Sequence, residues 1–322
     1  MIRPIPLLTL LLLLMVPLSL LAGRVWLDPW ATPNAALILA ELRLPRALLA
    51  LTIGAGLGAA GAAMQGYLRN PLADPGLFGI APGAALGAVA SLWFGPILGL
   101  WAASAYLLPL FALAGAAGAM ALLALIAGRG AGIALFTLAG MMIASLAGAL
   151  TSLAISLAPN AFAVEAIVTW LMGALTDRSW PDVWLAAPPT LAGIGLLRLA
   201  GRALDALTLG EPAARSLGID PARLQWLLVL GTGLTVGSGV AVAGVIGFVG
   251  LMVPHLVRPL TDRRPSALIV PSALAGALLV LVADCLCRIL PLVTELRLGI
   301  ALSLVGAPFF LGLLLRLRRG WL

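Results

Sequence analysis

Residues 43–80 read RLPRALLALTIGAGLGAAGAAMQGYLRNPLADPGLFGI. No charged residue lies between Arg46 and Arg69. A membrane-crossing helix needs about 20 mostly apolar residues, and this gap holds one. Gly54-x-x-x-Gly58 puts two small residues on one helix face, which lets another backbone approach closely in lipid. The stretch then ends in Arg69-Asn-Pro-Leu-Ala-Asp-Pro-Gly76, where two prolines, an Asn and a Gly spell a rigid turn.

The rest of the 322-residue chain repeats this pattern. It is 62% hydrophobic and 10% charged, whereas soluble domains run at roughly 45–50% apolar and about 25% charged. Too little charge is present to cover a water-facing surface, and the apolar content excludes disorder. The expected class is an all-α polytopic membrane protein. All 19 basic residues are arginine. Without lysine the chain cannot form a Walker A loop, which places a lysine on the β/γ-phosphates, or a Schiff base. Any ATP hydrolysis belongs to another polypeptide.

Gaps between charges place the other spans: Arg3–Arg24, two between Asp74 and Arg129 with a turn near Gly95-Pro96, Arg129 to about Leu157, Asp182–Arg198, two short ones between Arg223 and Arg258, Arg264–Asp284 and Arg297–Arg316. Ten spans result. A short amphipathic piece near Val164–Leu175 reads as interfacial or re-entrant. The first span resembles a signal peptide but lacks an A-x-A site and contains Pro6 and Pro17, so a retained helix is expected. With the N-terminus inside, ten spans put 13 arginines on the cytoplasmic side and six outside, as the positive-inside rule asks. Both termini are then cytoplasmic. The outside six are Arg24, Arg43, Arg46, Arg178, Arg288 and Arg297. Gly83-x-x-x-Gly87 and Gly233-x-x-x-Gly237 are further small-residue faces. The seven glycines from Gly231 to Gly250 suggest bent backbone at a helix break. Cys285 and Cys287 read as small packing residues, because residues two apart on a helix do not face each other.

Three segments suggest more than packing. Asp205–Asp220 reads as a short helix, with Gly210 near its start, Glu211 and Pro212 in the first turn and Gly218 past its end. Ala213, Ala214 and Leu217 would share one face. Two turns are too short to be stable alone, so the segment is either a docking helix or a structural loop. Arg43, Arg46 and Arg288 are arginines kept outside against the charge bias. They present planar forks for an acidic partner or simply snorkel to the interface. Asn70 could hydrogen-bond at a constriction, or only shape its turn.

Taken in order, RLPRALLALTIGAGLGAAGAAMQGYLRNPLADPGLFGI (43–80), LGEPAARSLG (209–218), GVIGFVGLMVPHLVR (244–258), ADCLCR (283–288) and LGIALSLVGAPFFLGLLLR (298–316) resemble the FecCD/BtuC-type permease family of ABC importers. The resemblance implies a BtuC-like, type II ABC importer fold of about ten transmembrane helices. It makes residues 1–322 a single permease domain with a cytoplasmic coupling segment at about 205–221. It also implies a homodimer in the inner membrane, two separate ATP-binding subunits that hold ATP and Mg, and a periplasmic substrate-binding protein. This chain itself would have no catalytic residue, cofactor or metal site, and no nucleic-acid partner. Gly210, Glu211, Ala214 and Gly218 carry over as the ATPase-coupling residues. Arg43, Arg46 and Arg288 carry over to binding-protein docking, and Asn70 and Leu72 to the cytoplasmic gate. Two departures stand out. A histidine that family members often carry after Pro254-His255 is absent from Thr261-Asp262-Arg263-Arg264, and a common proline is Arg297 here. His255 therefore reads as a structural cap or interface residue, not a haem ligand.

The leading expectation is import of a metal chelate, haem or ferric siderophore before cobalamin, because the MQG…NPLADPGL stretch looks haem-permease-like. An ion-coupled transporter would need ionisable groups at mid-membrane, and the spans are nearly bare of charge. A membrane enzyme would need a polar catalytic cluster, and the sequence offers none.

Overall fold

A computed structural model of the chain describes residues 4–97, 104–128 and 132–319. Arg3, Arg129 and the ends of the 1–322 domain lie outside them. Among the described residues every regular element is helical. Eight helices are long and apolar enough to cross a membrane. Three further apolar helices among the described residues are shorter, against the ten spans expected.

The helices are α1 (Pro4–Leu21), α2 (Ala35–Tyr67), α3 (Ile80–Ile97), α4 (Ser104–Ala127), α5 (Ile133–Ser156), α6 (Ala161–Leu171), α7 (Trp180–Leu207), α8 (Glu211–Ser216), α9 (Pro221–Ala243), α10 (Val249–Val257), α11 (Pro265–Ile289) and α12 (Leu298–Arg319). Helix α2 starts at Ala35, well before the expected boundary at Arg46. A π-helical turn over Ile38–Arg43, with the Leu44 amide bonded to the Leu39 carbonyl, lets the helix run through Pro45. Proline lacks the donor and clashes with the preceding turn, and a π-bulge relieves both.

Three expected boundaries move. The turn placed at Gly95-Pro96 falls inside α3, which continues to Ile97. The amphipathic piece is α6, beginning at Ala161 because the Asn160 side chain accepts from the Ala163 amide at 2.9 Å. It stops at Leu171 because Gly173 turns left-handed (φ 68°) and the Ala174 amide is taken by the Ala243 carbonyl at 2.8 Å. The break expected around Gly237–Gly247 is confined to Gly244–Phe248, between φ values of 73° and 66°. Gly233–Gly237 only widens α9 into a π-helical turn. Helix α10 has nine residues, too few to cross alone. Nine helical residues rise about 14 Å, roughly half of a bilayer core, and the bent Gly244–Phe248 segment joins them to α9.

Helices α2 and α9 form the centre. Their apolar stretches are 78% buried, against 11% for α1, where Leu7, Leu10, Leu11, Leu13, Leu14 and Leu18 are exposed. Close approach depends on glycine. Gly54 and Gly58 of α2 meet the backbone of α11 at Gly276 and Ser272, and Gly61 meets α10 at Gly250. Gly83 and Gly87 of α3 meet α4 at Gly115 and Phe111, so both of those small-residue faces join backbones. Gly233 and Gly237 instead face the side chains of Met120 and Ala116. At the Asn70 end of α2, Tyr67, Phe78 and Phe136 pack edge to face, the two phenylalanines at 4.8 Å.

Candidate docking, coupling and gate sites

The Arg46 end of the bundle holds a buried charge network. Arg46 grips Asp284 of α11 with Nε and Nη2 (3.0 and 2.8 Å) and reaches Glu295 with Nη1 (3.2 Å) and Nη2. Arg288, one turn beyond Asp284, pairs with it from the other side at 3.1 Å. Asp284 is 1% exposed. A lone carboxylate there would be costly to bury, and two guanidiniums compensate it. The i,i+4 spacing of Asp284 and Arg288 was the sequence signal for this pair. The sequence reading did not include Glu295, which is far from Arg46 in the chain.

Arg43 and Arg288 do a second task. Helix α1 has no basic residue in its last turn, and the final carbonyls of any helix lack intrahelical donors. Arg288 donates to the Ser19 and Ala22 carbonyls (3.2 and 3.0 Å) and to the Ser19 hydroxyl (3.0 Å). Arg43 donates to the Leu20, Ala22 and Val25 carbonyls (2.8, 3.3 and 3.0 Å). Two cations at a helix C-terminus also suit its dipole. Arg24 bonds the Leu292 and Val293 carbonyls. These groups surround a cavity of about 220 Å³ that includes Arg24, Arg43, Arg46 and Arg288 but, of the acids, only Glu295. Cys285 and Cys287 are buried free thiols beside it.

At the opposite end lies the short helix α8. Gly210 (φ 101°) and Gly218 (φ 81°) flank it, conformations that side chains rarely adopt. Glu211 sits in its first turn, and its carboxylate accepts from the Ile133 amide at 3.4 Å, near the start of α5. The face expected to hold Ala213, Ala214 and Leu217 together is divided. Ala214 is buried against the bundle, whereas Leu217 and neighbouring Leu209 are 63% and 68% exposed. Leu217 lies past the end of α8 with non-helical backbone (φ −82°, ψ 7°) and does not share the buried side of Ala214.

The 69–76 turn is built as its residues suggest. Asn70 Oδ1 accepts from the Leu72 amide (2.9 Å) and Asp74 Oδ1 from the Gly76 amide (2.7 Å). Burial raises the Asp74 carboxyl above its ordinary range, and the Gly76 amide pulls it back. Asn70 is exposed and Leu72 half-buried. Nearby, Gln65 of α2 bridges the Leu251 carbonyl (3.0 Å) and Arg258 (2.8 Å), contacts absent from the sequence reading. His255 packs edge-on to Phe309 of α12, rings 6.0 Å apart.

Comparison with known proteins fits this geometry. The FecCD transport family model matches residues 10–316. The uncharacterized ABC transporter permease protein YvrB of Bacillus subtilis (strain 168) is 39% identical over 88% of this chain and 80% of its own length. The vitamin B12 import system permease protein BtuC of Escherichia coli O9:H4 (strain HS) is 38% identical over 97% and 94%. A solved structure described as an inward-facing, metal-chelate type ABC transporter superposes with TM-score 0.87 at 34% identity, covering 96% of this chain and 97% of that one. PsaBC of Streptococcus pneumoniae, solved with a Fab, shares the fold at TM-score 0.54 and 19% identity, over 83% of this chain and 89% of that one. The chain belongs to the FecCD transport family, the membrane permeases of ABC importers.

Proposed function

We propose that this chain is the membrane-crossing subunit of an ATP-driven importer for a metal chelate, working by alternating access as a homodimer. Two ATP-binding subunits carry ATP and Mg, a periplasmic binding protein delivers cargo, and both termini face the cytoplasm. The observation that carries the reading is the end-to-end match: the family model spans residues 10–316, and a vitamin B12 permease aligns over 97% of the chain. That relative moves our preferred cargo to a corrinoid. Haem or a ferric siderophore is the second reading, supported by the metal-chelate type structure and by the MQG…NPLADPGL stretch.

The roles follow from placement. Helix α8 is the coupling element: Gly210 and Gly218 set its entry and exit, Ala214 and Glu211 anchor it to the bundle, and exposed Leu209 and Leu217 meet the ATPase. Arg43, Arg46 and Arg288 belong to the docking face for an acidic binding protein. Asn70 and Leu72 form the cytoplasmic gate. No residue of this chain performs covalent chemistry.

The test is reconstitution of the chain in proteoliposomes with its ATP-binding subunits and binding protein. ATP-dependent accumulation of cyanocobalamin, exceeding that of haem or a ferric siderophore, is expected. Accumulation driven by a proton gradient without ATP would overturn the importer reading. ATP-driven uptake of haem or siderophore alone would overturn the corrinoid assignment and leave the importer standing.

A further inference from the structure

Two of the six arginines expected outside are left over by the docking network. Arg178 and Arg297 lie 119 positions apart in the sequence, yet both line one cavity of about 330 Å³. It sits at the Arg46 end of the bundle, since α7 beside it is tied to α2 by Trp180 Nε1 donating to the Ala40 carbonyl at 3.0 Å. Among the described residues, neither guanidinium has a carboxylate within ion-pair distance, and neither side chain makes a hydrogen bond. Arg178 Nε and the indole Nε1 of Trp170, also on the cavity wall, are buried donors without an acceptor.

Buried donors are normally satisfied, and one left unpaired costs about 1–3 kcal/mol. A guanidinium drawn out of water without a bonded partner costs more, through desolvation. The only acid on the wall is Asp177, which is exposed. The remaining walls are Leu92, Leu108, alanines and two threonines, Thr169 and Thr176, for which no hydrogen bond to either guanidinium forms. The inventory is therefore an excess of donors and positive charge at one side of an apolar pocket. Its size lies at the low end of small-molecule sites and equals the share of roughly ten waters.

We propose that this cavity binds an oxyanion, a carboxylate or phosphate, carried on a small apolar body. The two arginines hold the anion, the Trp170 N–H supplies a directional donor, and the Leu92–Leu108 side takes the apolar part. Burial pulls the Arg178 pKa down despite Asp182 and Asp177, and a bound anion would reverse that pull. The site is separate from the Arg43–Arg46–Arg288 network and does not rest on the identity of the cargo.

The test uses the purified full chain in neutral detergent at low salt, with benzoate, phenyl phosphate and neutral benzamide as probes, followed by calorimetry. At least one anion should bind saturably and benzamide should not. Arg297→Gln and Arg178→Gln should each weaken the anion at least tenfold, the usual scale for a lost charged hydrogen bond. Arg202→Gln, exposed on α7 toward its other end and off this wall, should not. Preference between benzoate and phenyl phosphate assigns the ligand to the carboxylates or the phosphates. If Arg178→Gln fails to fold, judged by its melting curve, Arg297→Gln decides alone, since its guanidinium makes no hydrogen bond or ion pair among the described residues. No saturable anion binding, equal binding of benzamide, or unchanged affinity in Arg297→Gln would overturn the site.

Discussion

Gly193 and Gly195 sit two residues apart on α7 and offer a controlled measure of how far this fold depends on backbone contact. A methyl added at Gly193 would meet the Gly231 carbonyl oxygen at 2.7 Å, Thr235 Cγ2 at 2.8 Å and Leu234 Cβ at 3.0 Å, all on α9. Ordinary contact begins at 3.4 Å, so α9 must retreat by several tenths of an ångström. One of the three atoms is backbone, which cannot rotate away. A methyl at Gly195 meets nothing within 4 Å. Gly→Ala in a helix interior gains about 1 kcal/mol of propensity, and that gain is the same at both sites. It cancels in the difference between the variants and leaves the steric term. Overpacking a filled core costs about 1–3 kcal/mol. Gly193→Ala should therefore be about 1–3 kcal/mol less stable than Gly195→Ala, with the native protein between them. The assay is thermal or denaturant unfolding of the purified chain in one detergent, read by circular dichroism. Equal midpoints for the two variants would refute the claim that α7 and α9 meet at closest packing through Gly193.

Two further outcomes follow from the buried charges and the short helix. Asp284→Ala strands Arg288 and half-strips Arg46 in a closed site, so the unfolding free energy should fall by about 3–5 kcal/mol; a midpoint within error of the native one would show that the network is dispensable. Glu211→Ala removes the acceptor for the Ile133 amide and should leave the fold intact, since the contact is only part-buried and long at 3.4 Å. In reconstituted complexes it should lower transport per ATP hydrolysed by several-fold, and an unchanged ratio would remove Glu211 from the coupling role.

Charge gaps made most of the fold legible in the sequence. A span in lipid must be apolar along its whole length, so arginines and acids mark its ends. That worked for α1, α5, α11 and α12. It failed where a charged residue enters a helix. Arg46 seemed to mark the start of a span, but its partners Asp284 and Glu295 let α2 carry it, with Glu41 and Arg43, well inside the helix. The α10 segment failed differently. Its glycines signalled a break, yet the location depends on Gly244 meeting the backbone of Trp170 and Gly173, contacts from another part of the chain. The split face of α8 was also hidden. A pattern of apolar residues over six positions has no defined inside until the bundle beneath it is placed.

The same limit applies to the arginines at the Arg46 end. Sequence alone could say that cations kept there need a reason, and it offered an acidic partner as one. The geometry separates them by what they already hold. Arg46 is 13% exposed and faces two carboxylates, so an incoming acid would have to compete with Asp284 and Glu295. Arg288 is 8% exposed and pairs with Asp284. Arg43 bonds only carbonyls, which satisfy its donors without cancelling its charge, and Arg24 does the same at an exposed position. Four guanidiniums thus share two carboxylates, and the surplus positive charge lies on Arg24 and Arg43. A cation without a bonded carboxylate still attracts an acidic group at close range when its donors are occupied. In a docking event Arg43 and Arg24 would therefore make the first contacts. Arg46 and Arg288 would act through the rigidity they give to α1, α2 and α11. Charge reversal at Arg46 is accordingly a poor probe of docking, because it would place three acids together and disturb the fold before any partner arrived.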